Sequence, residues 1–199
     1  MQRVIDYYFT PASPWAYLGH DRFAAIARDA GVRVDVKPVD IGRVFATSGG
    51  LPLAKRAPQR QAYRLVELRR WSEWLGVPIN LQPKFHPFKA DPAVYWILAA
   101  AEADSTRALA FCGAVGKAFW AEERNPADAA TLAELARASG LDAAAIGERA
   151  ANPEIVSYYD TLTQQAIDVG IFGAPTYLYQ GEMFWGQDRL DFLARKLAK

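Results

Sequence analysis

A single cysteine, Cys112, stands in a chain of 199 residues, so an internal disulfide is excluded. That rules out a secreted scaffold stapled by disulfides and leads us to expect a reducing compartment, most simply a cytoplasmic location. Cys112 falls in the helical pattern Ala110-Phe111-Cys112-Gly113-Ala114-Val115. A small buried core residue is the ordinary reading there, and a reactive thiol is the alternative. Histidine is nearly as scarce. His20 and His86 are far apart and have no second cysteine to join them, so no zinc site is expected. Charge of one sign is also lacking: 23 basic against 22 acidic residues leave a net charge of +1. Neither nucleic acid nor an anionic membrane is expected as a partner. No apolar run reaches the roughly 18 residues that cross a bilayer. The N-terminal segment is strand-like and carries Asp6, which predicts no signal peptide.

What the chain does have is apolar bulk. Hydrophobic residues make up 51%, with six Trp, nine Tyr and ten Phe, enough for a substantial core. The length suits one domain, or one domain with a large insertion. Residues 3–9 are β-branched and aromatic and predict a buried strand. Residues 15–30 place Tyr17, Leu18, Phe23, Ile26 and Ala27 at helical spacing, and Gly31 stops them. Val32, Val34 and Val36 alternate and predict a second strand over 32–39. A strand–helix–strand unit implies parallel pairing with a right-handed crossover.

Residues 40–55 predict a short helix and a loop, 57–75 a long helix, and 77–92 a loop. From 91 to 170 the pattern is helical, with three or four Ala-rich helices broken at Asn125-Pro126, Ser139-Gly140 and Asn152-Pro153. Then Thr176–Tyr179 predicts a strand, Gln180-Gly181-Glu182 a tight turn and Met183-Phe184-Trp185 another strand. Residues 187–198 predict a final helix. The order is βαβ, a helical block, then ββα. It is read as an α/β thioredoxin-like fold over 1–45 and 170–199, with an inserted helical domain over 46–169.

The junction Thr10-Pro11-Ala12-Ser13-Pro14-Trp15-Ala16 joins the first strand to the first helix. Thioredoxin-like proteins carry Cys-x-x-Cys at this junction, and here Ser13-Pro14-Trp15-Ala16 stands instead. Ser13 is read in two ways. It is an N-cap, which Pro14 at the first helical position favours. Alternatively, its hydroxyl and the helix N-terminus hold an anion such as a substrate thiolate. No nearby His or Lys activates it as a nucleophile.

Three further features carry two readings each. Ala174-Pro175 is an ordinary trans bond or a cis bond that turns the Ala174 backbone toward a peptide-like ligand. Asp188 is a first-turn acid of the last helix or, with Gln187, a site for an α-amino acid terminus. Lys55, Arg56, Arg60, Arg64, Arg69 and Arg70 form a solvated helix face, or one or two of them hold a substrate carboxylate. His20 and His86 are read as structural. Trp15 and Trp185 are placed beside the site as walls of an aromatic-accepting cleft.

Asp6-Tyr7-Tyr8-Phe9 followed by Ser13-Pro14-Trp15-Ala16-Tyr17-Leu18 resembles the opening of 2-hydroxychromene-2-carboxylate isomerases. Phe172-Gly173-Ala174-Pro175-Thr176-Tyr177 and Glu182-Met183-Phe184-Trp185-Gly186-Gln187-Asp188-Arg189-Leu190 resemble their closing segment. That family is similar to kappa-class glutathione transferases, in the DsbA-like branch of the thioredoxin superfamily. The resemblance implies a thioredoxin fold with inserted helices, a homodimer, glutathione as cofactor and a small aromatic carboxylate as substrate. It implies that Ser13 hydrogen-bonds the glutathione sulfur and that Ala174, before a cis Pro175, pairs with the cysteinyl part. Gln187 and Asp188 would hold the γ-glutamyl end. Trp15, Lys55 and Trp185 are the candidate substrate contacts.

The expected activity is glutathione-dependent interconversion of 2-hydroxychromene-2-carboxylate and trans-o-hydroxybenzylidenepyruvate in aromatic degradation. The alternatives are a kappa-like transferase or peroxidase, and a non-catalytic thioredoxin-like binding module. Two positions depart from the family pattern. Gly50 stands where an Asn is common, and Ala16 where a Ser is common.

Overall fold

A computed structural model describes residues 3–199. A four-stranded mixed sheet lies at its centre in the order β2-β1-β3-β4. Strands β1 (Val4–Phe9) and β2 (Arg33–Pro38) pair in parallel, with Tyr7 opposite Val36. Their connection is helix α1 (Pro14–Asp29). Strand β3 (Thr176–Tyr179) runs antiparallel to β1 and sets Tyr177 opposite Tyr7. Strand β4 (Glu182–Trp185) closes the sheet as a hairpin with β3. Gln180 and Gly181 between them have φ of 51° and 79°. Positive φ at both central residues is the type I′ geometry that suits the right-handed strand twist.

The alternation of side chains along β1 explains why the sheet is covered on both faces. Ile5, Tyr7 and Phe9 point into the main core with Phe23 of α1. Tyr7 stacks on Phe9 at 4.5 Å and on Tyr177 at 5.3 Å, with Phe23 tilted against both tyrosines. Tyr8 points the other way, to Val39, Val44, Ala166 and Ile171. Burying one such aromatic is worth on the order of 2–3 kcal/mol in area terms alone.

Helix α2 (Ile41–Ser48) begins on Asp40, whose carboxylate accepts from the Gly42 and Arg43 N–H groups. The long α3 (Pro58–Leu75) ends at Gly76 with φ of 65°, the left-handed stop expected of Gly-Val-Pro. The helical block holds α4 (Asp91–Ala103), α5 (Ser105–Trp120), α6 (Ala129–Ala138), α7 (Ala143–Ala150) and α8 (Pro153–Asp168). That is five helices where three or four are expected. The extra break is a single residue. Asp104 turns extended (φ −160°) and its side chain caps α5 by accepting from the Thr106 and Arg107 N–H groups. No Gly or Pro marks that break, so the helical pattern runs through it in the sequence.

Ile97, Phe111, Val115 and Leu132 of this block share one continuous core with the sheet residues Ile5, Tyr7 and Val36. The final helix also differs from expectation. Residues Gln187–Arg189 form one tight 3-10 turn, and only then does α9 (Leu190–Leu197) begin. Gln187 and Asp188 therefore sit before the helix and not in its first turn. No helix among the described residues is long and apolar enough to cross a membrane.

Candidate active site

The open end of the sheet gathers the β1–α1 junction, the loop before β3 and the turn after β4. Ser13 is the N-cap of α1. Its Oγ accepts from the Ala16 N–H at 3.2 Å, and the side chain is buried. The cap reading is thus realised. It does not consume the hydroxyl, because a Ser Oγ that accepts still has its own O–H to donate. Pro14 has no N–H, Ala16 is taken by Ser13 Oγ, and the Tyr17 N–H reaches Ser13 O at 3.1 Å. The Trp15 N–H is left without a partner among the described residues.

A cleft of about 840 Å³ lies beside this junction, lined by Trp15, Phe45, Trp71, Phe172, Trp185 and Gly186 to Arg189, with arginines from the start of α3. Gly173, Ala174 and Pro175 form part of its floor. The Ala174–Pro175 peptide bond is cis. Ala174 is half-buried, and its backbone N–H and C=O have no hydrogen-bond partner among the described residues. Gly173 is required by Trp185, whose indole would collide with any Cβ there. Phe172 meets the same indole edge-on at 4.8 Å.

Gln187 is 2% exposed and fixed by Arg22 of α1. The Arg22 Nη2 donates to Gln187 O at 2.5 Å and to Gln187 Oε1 at 2.7 Å. With its oxygen oriented by Arg22, the Gln187 amide has its NH2 group free to offer a ligand. Arg22 is held in turn over the Trp71 ring at 5.9 Å. A Cβ on Gly19 would meet Gln187 Cβ at 2.5 Å, so α1 can approach this turn only with glycine there. The Asp188 carboxylate is half-exposed and pairs with Arg189 Nη1 at 2.8 Å.

The structure does not bring every candidate into one lining. Ser13 faces a second, much smaller recess with His20, Cys112 and Tyr17. Cys112 is fully buried and its thiol is pushed well up by burial, so it is a core residue and not a reactive thiol. His20 is buried as well, with its pKa lowered by burial despite opposing contributions from Asp21 and the Leu109 backbone. Tyr17 donates to Pro78 O at 2.6 Å, and burial raises its pKa to about 12.

Lys55 is exposed and lies outside the cleft lining, whereas Arg56, Arg60 and Arg64 are in it. Lys55 ends a 3-10 turn (Leu53–Lys55), and the phase of that turn faces it outward. Arg69 is exposed, and Arg70 is exposed and paired with Glu67 at 2.7 Å. Arg22, Phe45, Trp71 and Phe172 are the site residues that sequence patterning does not find. All are ordinary helix or loop residues whose place is set by long-range packing.

The parallel β1–α1–β2 unit, the β3–β4 hairpin and a cis proline opposite a helix N-terminus define a thioredoxin-like protein whose junction lacks cysteine. Comparison with known proteins agrees: the family described as DSBA-like thioredoxin domain matches residues 4–198. A 2-hydroxychromene-2-carboxylate isomerase of Sphingobium xenophagum is 31% identical over 195 residues, covering 97% of each chain. Human glutathione S-transferase kappa 1 is 21% identical, covering all of this chain and 92% of that one. The solved structure of a 2-hydroxychromene-2-carboxylate isomerase aligns with a TM-score of 0.79 at 26% identity, covering 98% of this chain and 94% of that one. This chain belongs to the 2-hydroxychromene-2-carboxylate isomerase family of DsbA-like thioredoxin-fold proteins.

Proposed function

We propose that the protein is a glutathione-dependent isomerase that interconverts 2-hydroxychromene-2-carboxylate and its ring-opened benzylidenepyruvate partner. The observation that carries this reading is Ser13. Its oxygen caps α1 while its O–H stays available, at a junction with no cysteine of its own. A thiolate from elsewhere suits that donor. The unpartnered Trp15 N–H and the helix N-terminus add favourable potential for the same charge.

The residues present fit a tripeptide thiol. The unpaired Ala174 N–H and C=O suit strand-like pairing with its cysteinyl residue. The Gln187 NH2 suits a carboxylate and the Asp188 carboxylate an ammonium, as the two ends of a γ-glutamyl group require. When bound, glutathione supplies a thiolate that adds reversibly to the conjugated carbon of the ring-opened acid, so that the former double bond rotates before the thiolate leaves. Ser13 donates its O–H toward the sulfur and lowers the thiol pKa, raising the anion fraction near neutral pH. Trp15 and Trp185 flank the planar substrate and exclude water. No electrons are gained or lost overall, as befits a site without a redox-active dithiol.

The test is spectroscopic. Interconversion of the chromene and benzylidenepyruvate forms is followed with and without glutathione, in the native protein and in Ser13→Ala. Glutathione-dependent interconversion that collapses in the variant is expected. Conjugation of a chlorinated aromatic without interconversion would instead identify a transferase of kappa type, and absence of glutathione binding by calorimetry would sink both.

A further inference from the structure

Three arginines converge on one wall of the cleft. Arg60 and Arg64 lie one helical turn apart on α3, and Arg56 sits just ahead of that helix. Several basic side chains elsewhere in the protein are neutralised by a carboxylate. Arg43 pairs with Asp160 at 3.0 Å, Arg70 with Glu67 at 2.7 Å and Arg149 with Glu102 at 2.6 Å. Among the described residues, no carboxylate pairs with Arg56, Arg60 or Arg64. Arg56 spends its Nε on Leu51 O at 2.8 Å. Arg64 has no hydrogen-bond partner among the described residues, yet it is half-buried.

A guanidinium moved out of water without a partner is destabilising, and an anion relieves that penalty most fully. Burial, and then the charge of Arg56, both press the Arg64 pKa downward, which is the signature of a cation whose surroundings hold too little negative charge. Trp15, Phe45, Trp71 and Trp185 give the cleft aromatic walls, and its two carboxylates, Glu67 and Asp188, are paired with Arg70 and Arg189. Flat apolar walls beside an unpaired planar fork select a planar acid over a neutral arene or an amine.

We propose that Arg64, with Arg60 at the rim, is the carboxylate subsite of this cleft and holds the acid group of a planar unsaturated or aromatic carboxylate against the aromatic walls. The proposal rests on reading the cleft as the substrate site. The glycyl carboxylate of glutathione has the same chemistry and is the second possible source of the anion.

The experiment needs no turnover, because three cleft tryptophans report binding by fluorescence. Salicylate and its neutral counterpart salicyl alcohol are titrated, without glutathione, into the native protein, Arg64→Met, Arg64→Lys and the remote control Arg137→Met. Salicylate is expected to bind the native protein and the control equally, to weaken with added salt, and to lose at least about ten-fold in Arg64→Met. Arg64→Lys should recover only part of that loss, since an ammonium lacks the bidentate fork. Salicyl alcohol should bind all four chains alike.

Glutathione is titrated separately by calorimetry. An unchanged glutathione affinity in Arg64→Met assigns the subsite to the second substrate. A ten-fold loss for glutathione with salicylate unaffected keeps the anion subsite but overturns its assignment to the planar acid. Equal salicylate and equal glutathione affinity in the native protein and Arg64→Met overturns the subsite altogether. Should Arg64→Met melt early, Arg64→Lys and Arg60→Met carry the same comparison. Salicylate binding that depends on Arg64 in a protein without isomerase activity would leave the subsite standing and remove the proposed reaction instead.

Discussion

The ring of Phe45 occupies the space into which a side chain at position 50 would project. A Cβ on Gly50 would lie within 2.7 Å of Phe45 Cγ and closer still to the ring edge. Both residues line the cleft. Glycine at position 50 therefore leaves this part of the wall to the aromatic face of Phe45. The two residues should therefore be coupled. Gly50→Asn alone is expected to cost about 1–3 kcal/mol through overpacking, or to expel the ring and weaken binding of a planar acid. Adding Phe45→Ala should remove the clash. A double-mutant cycle on thermal stability and on KM measures the coupling, and strict additivity of the two changes would count against it.

Ser13 combines two roles that one substitution can separate. Ser13→Ala removes both the cap and the donor, and should lower stability by about 0.5–2 kcal/mol as well as activity. Ser13→Asp keeps an N-cap of equal rank but offers a negative charge in place of a donor. It is expected to melt close to the native protein and to bind glutathione without ionising its thiol. Ultraviolet absorbance of the bound thiolate against pH is the measurement. A native-like thiol pKa in Ser13→Asp would mean that helix α1, and not the hydroxyl, sets the anion fraction.

The scaffold could be read from the sequence because its signals are local. β1 is an unbroken β-branched and aromatic run, and Ser13-Pro14 marks the start of α1. The Gln180-Gly181 turn names its own geometry. The finer errors share one cause. Asp104 ends one helix and starts the next without a Gly or Pro, and the 3-10 turn at Gln187 is set by how that residue docks on Arg22 and Gly19. Arg64 lines the cleft and Lys55, at the end of a separate 3-10 turn, does not. Arg22 and Gln187 are 165 residues apart, and no local pattern joins them.

That distant pair makes its own prediction. Arg22 commits the Gln187 oxygen and so turns the amide NH2 toward a ligand. Arg22→Met frees the amide to rotate and leaves Gln187 O unpaired. A hydrogen bond to a charged group contributes about 1.5–3 kcal/mol, which corresponds to a loss of roughly ten- to a hundred-fold. The loss should fall on the glutathione Kd, with kcat at saturating glutathione nearly unchanged. Equal losses in both would point to a collapsed fold and not to a misdirected amide.

His20 makes the protein sensitive to mild acid. Its folded pKa lies below the ordinary value of 6.5, because burial, the largest cause, disfavours the charged ring. The unfolded chain therefore binds a proton at a higher pH than the folded one. Stability contributed by neutral His20 is complete above about pH 6.5 and is lost as pH falls toward the folded value. His86 shifts the same way, through burial and then the charge of Arg64, but it is exposed and contributes less. The ring of His20 also fills the space over Gly113, where a Cβ would come within 2.6 Å of it. Melting temperature measured from pH 7.5 down to pH 5 should fall in the native protein, and the fall should be clearly shallower in His20→Gln. Equal slopes would mean that another buried group governs the acid limb.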